Sequence, residues 1–419
     1  MSNYTFYFDE SMHDRKIGLS KDGDFNFMKE SSFDVYVGAF WGIRTKKLSQ
    51  VNMLLTAFEN KQKKTFGLTA AQELKTTTLD KKNFNYGFRS FNRDCHCFYN
   101  DLFDLIHSIN PVIQITMISK MELFLRHVFS NYVFELTCIN ENSFYYSITK
   151  FMIVYGTEEL RNELISVRCI EDMNHFIESI ISELKTIKRK NQSIPRKRRE
   201  NEAFEHLILI LENTETASGV SQKQYPFEYR FVFDGLCRLL EEKRINTKTT
   251  EVIIDNEEKT YIAAQSFAFE KTKKLESYQS VELRMADWIV GFAGRMVVAL
   301  NRDKSLNEHI ESLSELDEKD MVSKHLLSSE WFEISEESFE LYKKAYQVFI
   351  LDRLNEYWAS MTAAYSDATT LFYSLLRYFG GFDDYSDYIR IPVNEHPDSF
   401  NSLACQDLSR VYRQLSNCL

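Results

Sequence analysis

"YTFYFDESMHD", Tyr4–Asp14, is the stretch on which the reading of the chain turns. Tyr4 to Phe8 are all aromatic or β-branched, the composition of a strand. The run then breaks into Asp9-Glu10-Ser11. Two adjacent carboxylates at a strand end either open a turn, as Asp commonly does, or present ligands.

Working outward, "FDVYVGAFWGI", Phe33–Ile43, reads as a second, mostly apolar and therefore central strand. The two strands can pair antiparallel through a long connection. Leu48 to Lys61 has helical periodicity, as does Asn92 to Ser108. Pro111 introduces "VIQITMISK", a strand by alternation and β-branching. Pro226–Lys243 predicts a helix, and Thr247–Asp255 a strand that again ends in a carboxylate. Glu282–Leu300, "ELRMADWIVGFAGRMVVAL", is an apolar helix with Asp287 in its first half. Residues 121–224 and 301–419 read as mainly helical, the latter until Gly380-Gly381 and a loop around Pro392 and Pro397.

Composition sets the frame. Only 13 Gly and 5 Pro interrupt 419 residues, which favours long helices over a many-turned β protein. The 33 Phe and 22 Tyr are scattered along the whole length and read as core. A net charge of −10 gives no global basic signature for nucleic acid, although a local patch is enough. The densest basic run is "KTIKRKNQSIPRKRREN", Lys185–Asn201. Its Lys188, Arg189, Lys190, Arg196, Lys197, Arg198 and Arg199 form either a solvated helix end or a surface for phosphates. Seven irregularly spaced cysteines and no secretory leader predict a reduced, cytoplasmic setting. Cys95-His96-Cys97 lacks the second ligand pair that a structural zinc site needs. No apolar run reaches the roughly 18 residues of a membrane helix.

Three acids stand out by position: Asp9, Asp255 and Asp287. The last is flanked by Met285, Ala286, Trp288 and Ile289, where an unpartnered carboxylate is costly to bury. Acids from distant stretches that converge on one point hold hard Mg²⁺ or Mn²⁺, which prefer oxygen ligands. Each acid also has an ordinary reading as a cap, a turn former or a salt-bridge partner.

"FYFDES", "VIID" and "SVELRMADWIVGFAGR" together resemble domain-of-unknown-function family 3800, a branch of the RNase H-like (retroviral integrase) superfamily. The resemblance matches Asp9 and Glu10 to the opening motif, and Glu73 and Lys75 in "QELKT" to an internal element. It matches Asp255 to the acid after the late strand, and Leu283, Ala286 and Asp287 to the closing helix. Met12 stands where the family has glycine, and Arg284 where it has glutamine; Arg284 is placed to neutralise Asp287 or to contact a phosphate.

The resemblance implies an α/β fold, an RNase H-like mixed sheet with flanking helices over 1–120 and 225–300; the stretches it does not cover read as a helical insertion over 121–224 and a helical C-terminal region over 301–419. It implies a metal-dependent nuclease in which Asp9, Glu10, Glu73, Asp255 and Asp287 bind Mg²⁺ or Mn²⁺. Lys75 would steady the scissile phosphate, and the basic run with Arg284 would bind DNA or RNA. By analogy such nucleases suit mobile-element or antiphage defence, with a regulatory protein docking on the helical regions. The rival expectation is a non-catalytic scaffold that keeps the RNase H-like core.

Overall fold

A computed structural model describes residues 3–11, 34–130, 132–133, 140–194, 197–213, 215–216, 229–309, 326–362 and 367–416. Met12, Arg196 and the turn expected at Asp22-Gly23-Asp24 lie outside these residues.

The first half of the chain runs β1 (Tyr4–Ser11), β2 (Val35–Arg44), α1 (Leu48–Thr65), β3 (Asn85–Phe88), α2 (Arg93–Ile109) and β4 (Val112–Ser119). The insertion follows as α3 (Lys120–Val128), β5 (Tyr132–Val133), α4 (Glu141–Val154), α5 (Glu158–Ser166), α6 (Ile170–Lys190), α7 (Arg198–Glu212) and β6 (Glu215–Thr216). Then come α8 (Arg230–Glu242), β7 (Thr250–Asp255), α9 (Glu258–Gln265), β8 (Lys271–Leu275) and α10 (Val281–His309). The last stretch holds α11 (Glu336–Phe349), β9 (Ala359–Thr362), α12 (Asp367–Gly380), the single turn α13 (Tyr385–Tyr388) and α14 (His396–Ser416). No helix among the described residues is long and apolar enough to cross a membrane.

Six strands form one mixed sheet in the order β8-β7-β1-β2-β4-β9. β1, β2 and β4 are an antiparallel meander, while β7 is parallel to β1, β8 to β7 and β9 to β4. β2 is buried along nearly its whole length, as its apolar run predicts. Gly42 sits opposite Phe6 in the ladder, and a Cβ there would meet the Phe6 ring at 2.3 Å, so only glycine lets that ring lie across β2.

Alternation along the strands divides the interior into two cores. Tyr7, Trp41, Ile113 and Ile253 point to one face, where they pack with α1, α2, α10, α11, α12 and α14. Phe6, Phe8, Tyr36 and Val252 point to the other, against the insertion helices and α8. The aromatic excess is core packing: Tyr342, for example, stacks on Phe379 at 4.0 Å and lies 4.3 Å from Phe88. Asp367, at the start of α12, pairs with Lys150 of α4 and Lys304 of α10, each at 3.5 Å, and accepts from Tyr146 at 2.9 Å. It thereby ties the insertion to the C-terminal helices. These charges hold its carboxyl down at about 2 although burial opposes ionisation.

The structure corrects three details of the reading. β8 falls in a stretch to which no strand was assigned, and β9 in one read as helical; both lie at the sheet's edges. Pro397 does not belong to a loop but to the first turn of α14, where a missing N–H costs nothing.

His396, at the same helix start, is fully buried. It stacks on Tyr388 at 4.1 Å, and its Nδ1 pairs with the Tyr378 hydroxyl at 2.7 Å. Burial lowers its pKa to about 4. Because the unfolded chain takes up this proton near pH 6.5, the stabilisation is present above that pH and is lost as pH falls toward 4. Asp34, pushed up to about 6 by burial, titrates with the opposite sign, so wild type must be compared with a variant that shares it. Between pH 7.5 and pH 5, the stability gap between wild type and His396→Phe is expected to shrink by about 2 kcal/mol in denaturant unfolding. A gap independent of pH would overturn the assignment.

Candidate functional site

Register brings the first two acids together. The parallel pairing of β1 with β7 runs from Tyr4 opposite Thr250 to Phe8 opposite Ile254. One step further, Asp255 ends β7, while Asp9 lies inside β1, which runs on through Glu10 and Ser11 instead of breaking at the acids; the two backbones lie about 4.8 Å apart. Both continue the face of Tyr7 and Ile253, which is the face covered by α10. Asp287 projects from α10 onto the same corner. Asp9, Asp255 and Asp287 are all half-buried.

The fourth acid arrives on an irregular segment stitched to α10. A buried backbone without regular structure must find partners for its N–H and C=O groups. Here α10 supplies them. The Thr76 amide and hydroxyl donate to the Asp287 carboxylate at 2.6 and 3.1 Å, and the hydroxyl also reaches the Asp287 carbonyl at 2.8 Å. Trp288 Nε1 donates to the Leu74 carbonyl at 2.8 Å. Arg295 donates to the Thr76 and Leu79 carbonyls at 2.6 and 2.8 Å. Gly291 completes the stripe Asp287-Gly291-Arg295, one helical turn per step; a Cβ there would lie 2.3 Å from Thr76 Cγ2. The segment so held carries Glu73 and Lys75.

A second anchor links the acids to each other. Ser277, between β8 and α10, donates its amide to Asp255 at 3.1 Å and its hydroxyl to Glu73 at 3.0 Å. Lys75 Nζ is 3.2 Å from the same Glu73 oxygen.

The electrostatics follow. Burial first, and then the like charges of Asp287 and Asp255, raise the Asp9 pKa well above the usual carboxylate value. The Asp287 carboxyl is also raised by burial, against the pull of Thr76, Lys75 and Arg295. Burial opposes the charge on Lys75, yet Glu73, Asp255 and Asp287 together raise its pKa.

Not every expected residue joins this corner. Glu10 is turned to the opposite face, because successive strand residues alternate; there its carboxylate accepts from the Tyr36 hydroxyl at 2.6 Å. Arg284 reaches neither Asp287 nor solvent. It is buried, lies 2.6 and 2.7 Å from the two Glu59 carboxylate oxygens, and donates to the Ser277 carbonyl at 2.5 Å. The basic run lies on α6 and α7, whose apolar residues pack in the core on the far side of the sheet. Much of its charge is matched within that hairpin: Lys188 pairs with Glu205, Lys197 with Glu200 and Arg198 with Glu202. Lys190 and Arg199 are exposed, and Arg189 donates to the Lys185 carbonyl. Arg196 lies outside the described residues. Cys95 and Cys97 are free; Cys95 is buried and accepts from Asn83, while His96 pairs with the Glu337 carbonyl.

Among the described residues, no group of three or more His, Cys, Asp and Glu side chains is disposed to hold a metal ion. The reason is visible in the hydrogen bonds: Asp287 is turned to Thr76, Asp255 to the Ser277 and Asn256 amides, and Glu73 to Lys75 and Ser277. The donor set itself suits Mg²⁺ or Mn²⁺, being all oxygen and anionic. Asp9 keeps the most free capacity, since its only hydrogen bond among the described residues comes from the Glu10 amide. No family model, no curated protein and no solved structure matches this chain.

Sequence reasoning passed over Thr76, Ser277, Gly291 and Arg295. The last two were open to it, because a glycine and an arginine four and eight residues after Asp287 share its helix face.

Two outcomes are expected. Gly291→Ala should destabilise the fold by about 1–3 kcal/mol, because the new methyl overpacks Thr76; an unchanged unfolding midpoint would contradict the close approach. Asp9→Asn should raise the melting temperature at pH 7.5 in chelator. A carboxyl whose folded pKa is raised stabilises the fold at low pH, and this is lost as pH rises through that pKa. The gain should vanish at acid pH, and a lower melting temperature at pH 7.5 would refute the repulsion.

Proposed function

We propose that this chain is a metal-dependent phosphodiesterase acting on DNA or RNA, built on an RNase H-like core. The observation that carries the reading is convergence: β1, β7, α10 and the segment on α10 bring Asp9, Asp255, Asp287 and Glu73 to one corner, joined through Ser277 and Thr76. The mixed sheet, in the order β8-β7-β1-β2-β4-β9 with acids on its inner strands β1 and β7, supports what the family resemblance implies. The family resemblance is part of the same proposal.

Asp9, Asp255, Asp287 and Glu73 are the residues that would hold Mg²⁺ or Mn²⁺. When bound, such ions neutralise phosphate charge and lower the pKa of water. Lys75, 41% exposed and raised in pKa, offers a positive charge to the scissile phosphate at the rim. Ser277 and Thr76 orient the carboxylates. A cation held there would offset the charges of Asp287 and Asp255 that, with burial, raise the Asp9 pKa. Arg284 and Glu10 have structural roles in this reading, and the α6–α7 run does not serve the carboxylate corner.

One observation favours the alternative of a non-catalytic scaffold: Asp287 and Asp255 already accept donors from the chain itself. The two readings separate in one experiment. The purified protein is incubated with single- and double-stranded DNA and RNA in Mg²⁺, Mn²⁺ or chelator. Cleavage is expected only with metal and is expected to fall to the chelator background in Asp9→Ala and Asp287→Ala. Mn²⁺ should also raise the melting temperature of wild type and not of Asp9→Asn. Absence of both effects would leave the scaffold.

A further inference from the structure

The turn Ser277–Gln279, between β8 and α10, holds an exposed aromatic ring on the residue that follows Ser277, the side chain joining Asp255 to Glu73. Tyr278 is 62% exposed and makes no ring contact among the described residues. Its backbone, by contrast, is fixed on both sides. Ser277 is tied to Asp255, Glu73 and Arg284 through its amide, hydroxyl and carbonyl. Ser280 is buried and donates its hydroxyl to Glu282 at 2.7 Å. The phenol oxygen itself accepts from Gln279 Nε2 at 3.0 Å. The ring is thus presented by a rigid support.

Its place relative to the charges is informative. Cα atoms of successive residues are about 3.8 Å apart, so Tyr278 begins one residue from the group that holds both Asp255 and Glu73. The Glu73 oxygen that accepts from Ser277 also pairs with Lys75. The aromatic residue therefore follows directly on the residue that joins Asp255 to Glu73, and Lys75 pairs with the same Glu73 oxygen. The flanking residues Glu276, Ser277, Gln279 and Ser280 are polar, so a protein partner would find little apolar area there. A nucleobase needs only one face to stack on. The turn also lies at the carboxyl ends of the parallel strands β7 and β8, where α/β sheets receive ligands.

We propose that Tyr278 is a stacking platform for an unpaired base next to the scissile phosphate, which makes single-stranded nucleic acid the substrate class. The proposal rests on the phosphodiesterase reading. A base inside a duplex offers no free face to the ring, whereas a single strand does.

The test uses the full chain carrying Asp9→Asn, which blocks cleavage, in Mg²⁺. A single-stranded oligonucleotide with 2-aminopurine at successive positions is titrated with this parent and with Tyr278→Ala and Tyr278→Trp added to it. Tyr278→Ala is expected to weaken binding by about tenfold or more and to remove the fluorescence quench at one position, while Tyr278→Trp keeps both. A blunt duplex of the same sequence should bind weakly and ignore the substitution. The ring is 62% exposed and makes no aromatic contact among the described residues, so the melting curve of Tyr278→Ala should match that of the parent. Equal binding of the single strand by Tyr278→Ala and the parent overturns the stacking role. The cleavage assay on wild type reports on the phosphodiesterase reading independently: cleavage together with neutral Tyr278 variants removes only this inference, and no cleavage with no binding removes both.

Discussion

One helix face governs the site. Asp287, Gly291 and Arg295 repeat every fourth residue along α10, and each does a different task for the segment laid against it. Asp287 accepts the Thr76 amide, Gly291 makes room for its side chain, and Arg295 caps the carbonyls of Thr76 and Leu79. The single 3-10 turn Thr76–Thr78 satisfies few of the segment's own backbone groups, and α10 supplies partners for the rest. The same contacts fix where Glu73 and Lys75 emerge. The position of one candidate ligand thus depends on a methyl group being absent from a helix more than two hundred residues further along the chain.

The sheet imposes a second constraint. Asp9 and Glu10 are adjacent in sequence and both acidic, yet alternation sends them to different cores. Glu10 is absorbed by Tyr36 among the insertion helices. Asp9 is left facing Asp287 and Asp255. Two adjacent carboxylates within β1 are therefore split between its faces, one held by Tyr36 and the other set against two further acids. Because both faces of the sheet are covered, the insertion and the C-terminal helices each complete a core, and β9 extends the sheet from the last stretch of the chain.

Much of the fold could be read from patterns whose physical cause is local. β2 and β4 are buried on both faces and announce themselves by continuous apolar or β-branched residues. α10 does so by its apolar length. β8 did not, because "KTKKL" is an edge strand whose lysines are what such edges favour; Lys273 pairs with Glu251 and Lys274 with Glu258. β9 is only four residues long and carries no pattern. The acids were legible as candidates because carboxylates in apolar surroundings are conspicuous. Partner choice was not: nothing in the spacing says that Arg284 turns to Glu59 rather than Asp287, since Glu59 lies on a helix 225 residues away. In the basic run, the pairing of Lys188 with Glu205 was hidden for the same reason, whereas Lys197–Glu200 and Arg198–Glu202 are local helix pairs that the spacing does allow.

The electrostatic state of Asp9 bears on why such a corner exists. A half-buried carboxyl facing two others opposes folding at neutral pH, and the hydrogen bond from the Glu10 amide only partly relieves it. An uncharged side chain such as Asn keeps the shape without the repulsion. A purely structural corner gains nothing from the charge, because Thr76, Ser277 and Lys75 already satisfy the other acids. A site that received a cation would gain from it directly, because the ion's attraction for each carboxylate would offset their mutual repulsion. On the proposed reading, the stability that repulsion among Asp9, Asp255 and Asp287 costs the empty fold would be recovered when a cation binds.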